Sequence, residues 1–521
     1  MTKLMVWATL LAAAATASAA DAPPTIFEQA GEPVAAGKID ELVFAKMKLA
    51  GVTPARLCSD AVFVRRAYLD VIGALPAAEE ARAFLEDKAA DKRARLIDRL
   101  LDRPEFVDYW AMRWGDLLRV KSEFPINLWP NAVQAYDQWI RGALRQNMPY
   151  DRFVRELLTS SGSNFRVGPV NFYRAVQSRE AGSLAAAAAL TFMGDRMGSW
   201  SEARRNGLAV FFSRVGYKQT GEWKEEIIIF DTSTKAAAEA VLPDGTTARL
   251  AADRDPREVF ADWLISLRNP WFARCAVNRI WYYLLGRGII QEPDDIRPDN
   301  PPSHPEVLTF LEQELVGARW DLKHIYRLIL NSSTYQLSSV PRSSDPRAAA
   351  LFAGYPLRRL DAEVLIDALC RVTGTTEEYS SAIPEPFTWV PVSMLTVALP
   401  DGSITSSFLE LFGRPPRDTG MISERANGVT ADQRLHLLNS GHIRGKIDRG
   451  TVLVSLRQES ANDPAKAATR LYLTVLSRYP TAEELKTLKG YTDAHRSERG
   501  GNPLADTMWA LINSPEFLYR H

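Results

Sequence analysis

Residues 269–305, NPWFARCAVNRIWYYLLGRGIIQEPDDIRPDNPPSHP, place the tightest constraint on what this chain can fold into. Asn269 is a good N-cap, Pro270 suits a first helical position, and Gly286 can take the left-handed conformation that ends a helix. Between them almost every side is apolar: Phe272, Cys275, Ala276, Ile280, Tyr283 and Leu284 fill one face, and Trp271, Val277, Trp281 and Leu285 much of the rest. A helix that is apolar all round has to be buried among other elements. Only Arg274, Asn278 and Arg279 interrupt it. A buried guanidinium needs hydrogen-bonding partners, and the following loop offers Glu292, Asp294, Asp295 and Asp299, with Asn300 and His304 close behind. The expectation is that Arg274, Asn278 or Arg279 contacts a carboxylate from Asp294, Asp295, Asp361 or Glu363.

The rest of the chain supplies the helices such an element needs. Residues 39–50 read as an amphipathic helix, Asp60 as the cap of a second, and Gly73 and Pro76 as its end. Further helices are expected from 77–80, over 92–101, through 108–120, and over 136–144, 150–158 and 181–193. In the segment DYWAMRWGDLLRV, Arg113, Asp116 and Arg119 form a polar stripe that reads as an ion-paired surface. Between residues 214 and 254 the period changes: EIIIF at 226–230 and the turn residues Pro243-Asp244-Gly245-Thr246 mark a small β insertion. Helix resumes behind Asp255-Pro256, over 305–315 and 322–330, and from a cap at Asp361 to Gly374, whereas 375–420 is looser. The fold class is therefore mainly α. Two helical domains, 37–213 and 255–440, are expected to flank a β-hairpin insertion at 214–254, with a C-terminal helical module at 441–521.

That module repeats the beginning of the chain. Arg66, Tyr68, Leu69, Val71, Pro76, Ala78, Glu79 and Glu80 recur 404 residues later as Arg470, Tyr472, Leu473, Val475, Pro480, Ala482, Glu483 and Glu484. Pro104-Glu105-Phe106 recurs 411 residues later as Pro515-Glu516-Phe517. Both copies read helix, proline turn, capped helix, helix, so one helical hairpin module is expected at both ends.

Lys3, an apolar run from Leu4 to Ala15 and small residues up to Ala20 read as a secretory signal peptide over 1–20, followed by a Pro/Ala linker to residue 36. Export to the periplasm or cell surface is expected, with no transmembrane span in the mature chain. Lys+Arg and Asp+Glu both number 63, which leaves no global field to recruit nucleic acid or an anionic membrane. The three cysteines, Cys58, Cys275 and Cys370, are far apart and form no CxxC or CxxCH motif. Structural zinc and covalent haem are excluded on that ground, and no cofactor is expected.

RRAYLDVIGALP, RLLDRPEF, WAMRWGDLLR and PYDRFVREL resemble the cytochrome C-associated domain abundant in planctomycetes. NPWFARCAVNRIWYYLLGRGI, DDIRPDNPPSHPEVL, ARWDLKHIYRLILNSSTYQLSS, YPLRRLDAE, FGRPPRD and LHLLNSGHI resemble the planctomycete-specific domain that commonly follows it. The resemblance implies an exported protein of unknown biochemical role. Many relatives carry a CxxCH-like segment before a W-S-x-(D/E) element; here Trp200-Ser201-Glu202 remain, but residues 194–199 are GDRMGS, with neither cysteine nor histidine. A haem or metal role implied for relatives does not carry over.

Two functions compete. A binding or scaffold protein would present helical surfaces to an envelope protein or a surface glycan. A hydrolase would gather Asp294, Asp295 and His304 with Arg358, Arg359, Asp361 and Glu363, using paired carboxylates as acid and base or, with His304, to ligate a metal. The candidate polar cluster is thus Arg274, Asn278, Arg279, Asp294, Asp295, His304, Arg358, Arg359, Asp361 and Glu363. Electron transfer ranks last because ligands for a redox centre are missing. The purified protein, made in a host competent for cytochrome maturation, is accordingly expected to show no Soret band; a stoichiometric band would reinstate electron transfer.

Overall fold

The computed structural model describes residues 23–235, 237–495 and 502–521, so the expected signal peptide at 1–20 lies outside the described residues. Helices dominate and strands are few and short. The helix Phe272–Leu285 sits at the centre, with Cys275, Val277, Trp281 and Leu284 fully buried, and packs against Ala181–Met193, Pro305–Gly317 and Leu322–Asn331. Asn269 caps it as its side-chain oxygen accepts from the backbone of Trp271 (2.8 Å) and Phe272 (3.0 Å). Gly286 ends it at φ 70°, and a Cβ there would lie 2.4 Å from the Cδ of Arg358. Glycine is required both by the backbone and by that close approach.

The change of period after residue 214 is two small antiparallel pairings. Val215–Gln219 pairs with Glu226–Phe230, Tyr217 opposite Ile228, and Gly162–Ser163 adds a third strand beside Glu226–Phe230. Glu239–Val241 pairs with Thr247–Arg249. A further pairing has no signature in the sequence: Arg358–Arg359 lies antiparallel to Tyr519–Arg520, bringing the C-terminal residues to the start of the helix Ala362–Thr373. One continuous apolar core runs from Ile39 to Phe517. All three cysteines are buried and unpaired.

Both ends of the chain carry the same element order. Asp60–Val71, Ala78–Glu86, Lys92–Leu101 and a helix opening at Pro104 correspond to Pro464–Leu476, Ala482–His495, Pro503–Ile512 and Pro515–Leu518. Each copy also ties two glutamates with one arginine. Arg103 bonds Glu80 at 2.7 Å and also pairs with Glu105, while Arg478 bonds Glu484 at 2.7 Å and Glu516 at 2.6 Å. Glu80 and Glu105 are the repeat partners of Glu484 and Glu516, yet the arginines come from different places, before the last helix in one copy and from the proline turn in the other. In both, the guanidinium also lies over the equivalent tyrosine, Arg103 on Tyr68 at 5.6 Å and Arg478 on Tyr472 at 5.4 Å. The copies pack on each other, with Leu473 against Ala78 and Ala81, and Arg65 donating to the carbonyls of Val475 and Phe517, both at 2.9 Å. They differ in the middle helix: Ala78–Glu86 buries Phe84, stacked on Phe63, whereas Ala482–His495 has no buried residue.

Arg478→Met leaves Glu484 and Glu516 unpaired and is expected to cost about 1–3 kcal/mol. Arg103→Met should cost less because Arg103 is the more exposed of the two, 24% against 9%. Thermal denaturation of the two variants side by side checks the order.

Candidate functional site

Beneath the central helix runs a chain of alternating charges. Asp70, on the helix Asp60–Val71, accepts from the hydroxyls of Tyr335 (2.9 Å) and Tyr355 (2.7 Å) and meets Arg520 at 3.1 Å. Arg520 in turn reaches Asp361 at 2.9 Å, and Arg113 pairs with the same carboxylate oxygen. Arg425 bonds Glu363 at 2.6 Å and Asp116 at 2.7 Å, Arg414 lies 3.4 Å from Glu363, and Arg417 bonds Asp116 at 2.9 Å. Nearly all of these side chains are buried. Burial alone would raise the carboxyl of Asp361, but Arg113, Arg520 and Arg425 outweigh it and hold it well below the usual range. Burial likewise opposes ionisation of Glu363, which Arg425 and Arg414 nonetheless bring down to about 2.

A cavity of about 290 Å³ opens onto this network, lined by Arg113, Arg358, Arg359, Arg425 and Arg520, with Asp116 and Asp361 the only carboxylates on its wall. Five guanidinium groups thus face two carboxylates. Tyr282 and Tyr283, at the C-terminal end of the central helix, complete one side, and burial raises both hydroxyls so that they stay protonated donors. Met421 and Ile422 close the other side.

The expected cluster is divided by the fold. Arg279 bonds Asp294 at 2.8 Å, and Asp294 also accepts from the backbone of Ile422 at 2.7 Å, which ties the central helix to the cavity wall. Arg358 donates to the carbonyls of Tyr283 (2.9 Å) and Leu284 (2.8 Å), satisfying the helix end beside Gly286. Arg359 donates to the carbonyls of Phe412 (2.7 Å) and Ala426 (3.1 Å). Asp361 occupies the N-cap position of Ala362–Thr373, but its side chain makes no cap bond and serves Arg113 and Arg520 instead.

Four residues stand elsewhere. Arg274 pairs with Glu312 at 2.7 Å, because its face of the helix meets Pro305–Gly317 and not the acidic loop. Asn278 exchanges bonds with the backbone of Ile290, and Asp295 pairs near the surface with Arg297 at 3.0 Å. His304 is buried against Phe352 at the start of the helix Pro305–Gly317; burial, then Lys46, lowers its pKa to about 4, so the ring is neutral.

The sequence also placed Arg113, Asp116 and Arg119 on a surface, and that is corrected: Arg113 and Arg119 are buried, and Arg119 donates to the carbonyl of Ala175 at 2.7 Å. Asp70, Arg414, Arg417, Arg425 and Arg520 went unnoticed as site residues. The FGRPPRD segment carried the only sequence signal, since two arginines separated by prolines cannot sit in a regular helix and need partners of their own.

Because Glu363 and Asp361 titrate lower in the folded chain, their contribution is present above the unfolded carboxylate range and is lost as pH falls through the folded values. Melting temperature is expected to hold from neutral pH to about 5 and then fall steadily toward pH 2. Glu363→Gln should shallow that decline. Asp361→Asn, which takes from Arg113 its carboxylate and from Arg520 one of two, should cost about 3–5 kcal/mol at neutral pH. Scanning calorimetry across pH tests both.

Residues 38–203 match the family described as PSCyt2, a protein of unknown function (DUF1549), and residues 256–492 match PSD1, likewise a protein of unknown function (DUF1553). Comparison with curated proteins and with solved structures finds no match. The ionic network draws on both matched segments, Asp70, Arg113 and Asp116 from the first and Arg358 to Arg425 from the second. The chain thus carries a planctomycete cytochrome C-associated domain followed by a planctomycete-specific domain.

Proposed function

We propose that the protein is a non-catalytic binding protein of the cell envelope, exported to the periplasm or cell surface, and that the arginine cavity receives an acidic group of a surface glycan. The excess of five guanidinium groups over two carboxylates on the cavity wall carries this reading. Arginine presents a planar fork of donors matched to a carboxylate or sulfate, and two protonated tyrosines add hydroxyl donors. A volume of about 290 Å³ suits a single acidic sugar residue better than a protein surface. Among the described residues no helix is long and apolar enough to cross a membrane.

The hydrolase reading is less well supported. A glycosidase needs one carboxyl held protonated near neutral pH, whereas Asp361 and Glu363 are both driven toward ionisation by their guanidinium partners. Asp116 is clamped between Arg417 and Arg425.

Calorimetric titration with an oligogalacturonate tests the proposal. Binding is expected, weakening as salt is added. Met421→Glu places a negative charge on the cavity wall without touching the buried network and should weaken binding about tenfold or more. No binding, or binding indifferent to Met421→Glu, would overturn it.

A further inference from the structure

Every exposed tryptophan and phenylalanine among the described residues lies on one set of loops. Trp223 and Trp389 are each 68% exposed, Phe124 is 80% and Phe387 43%, while the remaining tryptophans and phenylalanines are buried or half-buried. The loops come from distant parts of the chain, residues 121–129, 220–225 and 384–392. Two contacts join them. The ring of Phe387 meets that of Trp129 at 5.3 Å, and Lys224 lies between two indoles, 5.9 Å from Trp129 and 5.3 Å from Trp223. Phe387, Trp129, Lys224 and Trp223 thus form a continuous file, and Phe124 and Trp389 are exposed on the same loops. The 121–129 loop is held from behind, its Ser122 and Glu123 amides bonded to Asp401 (2.9 Å) and Ser403 (3.0 Å), and Lys121 to Asp418 at 2.7 Å.

Elsewhere among the described residues the tryptophans and phenylalanines are buried or half-buried, so their concentration in water at one place marks a surface that is covered in use. Its chemistry selects the cover. The rings are separated by charge, with Glu123, Glu222 and Glu385 beside them in sequence against Lys224. That excess of negative charge opposes an anionic bilayer, and charged breaks between rings do not match the uninterrupted apolar centre of a protein interface. A sugar ring fits both features: its C–H face is apolar and flat, and its hydroxyl rim bonds to carboxylates, amines and indole N–H groups. Indole and phenyl rings offer flat area at little conformational cost.

We propose that Trp223, Phe387 and Trp389 form a stacking platform for the rings of a neutral linear glycan, a second site independent of the arginine cavity. The full chain titrated with cellohexaose and with chitohexaose, followed by calorimetry and tryptophan fluorescence, is expected to bind at least one of them with a change in indole emission. Trp223→Ala combined with Trp389→Ala should weaken that binding about tenfold or more. Both residues are exposed, so the melting temperature should be unchanged. Met421→Glu should leave neutral-sugar binding intact, which separates failure of this platform from failure of the cavity. Binding of neither sugar, or binding indifferent to the double variant, would overturn the proposal. So would tryptophan-dependent attachment to phosphatidylcholine–phosphatidylglycerol vesicles without sugar binding, or a dimer that the double variant dissolves.

Discussion

A charge taken out of water must be compensated where it lies, and this protein buries many. Each carboxylate of the network is shared by two or more guanidinium groups, as Asp361 is by Arg113 and Arg520, or Asp116 by Arg417 and Arg425. The sharing positions the elements. The helix Asp60–Val71 contributes Asp70, Pro104–Leu117 contributes Arg113 and Asp116, the start of Ala362–Thr373 contributes Asp361 and Glu363, and the segment 414–425 contributes three arginines. Apolar packing alone would tolerate sliding of these helices by a fraction of a turn. Ion pairs at 2.6–2.9 Å, reinforced by the two-point grip of Arg425 on Glu363, do not.

Features that depend on neighbours in sequence were legible. The central helix announced itself by apolar residues on every side with Asn269 and Gly286 at its ends, and Arg279–Asp294 links residues only 15 apart. The repeat was legible because whole runs of residues recur in order, Arg66 to Glu80 at one offset and Pro104-Glu105-Phe106 at another, although its clamping arginines moved. What periodicity cannot supply is the partner across the chain. Arg113 and Asp361 are 248 residues apart, and Arg425 and Asp116 are 309 apart. A polar stripe on a helix looks the same whether it faces water or another element's carboxylates, so Arg113 and Arg119 read as surface. Arg274 shows the converse, since its partner Glu312 lies beyond the acidic loop, on the helix Pro305–Gly317, and offered no local signal.

The two proposed recognition surfaces differ in kind. The cavity is built from side chains whose main duty is to hold the fold, so its charge excess is a by-product of a network that has more guanidinium groups than carboxylates. The exposed rings of the aromatic loops add little to the core, whereas Ile126 and Leu128 behind them belong to it. A single polymer bearing acidic and neutral units could engage both, with linkage between the sites set by the length of polymer that spans them.

The pairing of Tyr519 and Arg520 with Arg358 and Arg359 also bears on how the chain comes to be made. Arg66 donates to the carbonyl of His521, 455 residues away, and Arg520 closes the contact with Asp70. During synthesis the first matched segment emerges long before these partners exist, and its Asp70 cannot settle into a dry interior alone. The packing around Asp70 is therefore completed only when residues 519–521 are in place, late in a vectorial synthesis.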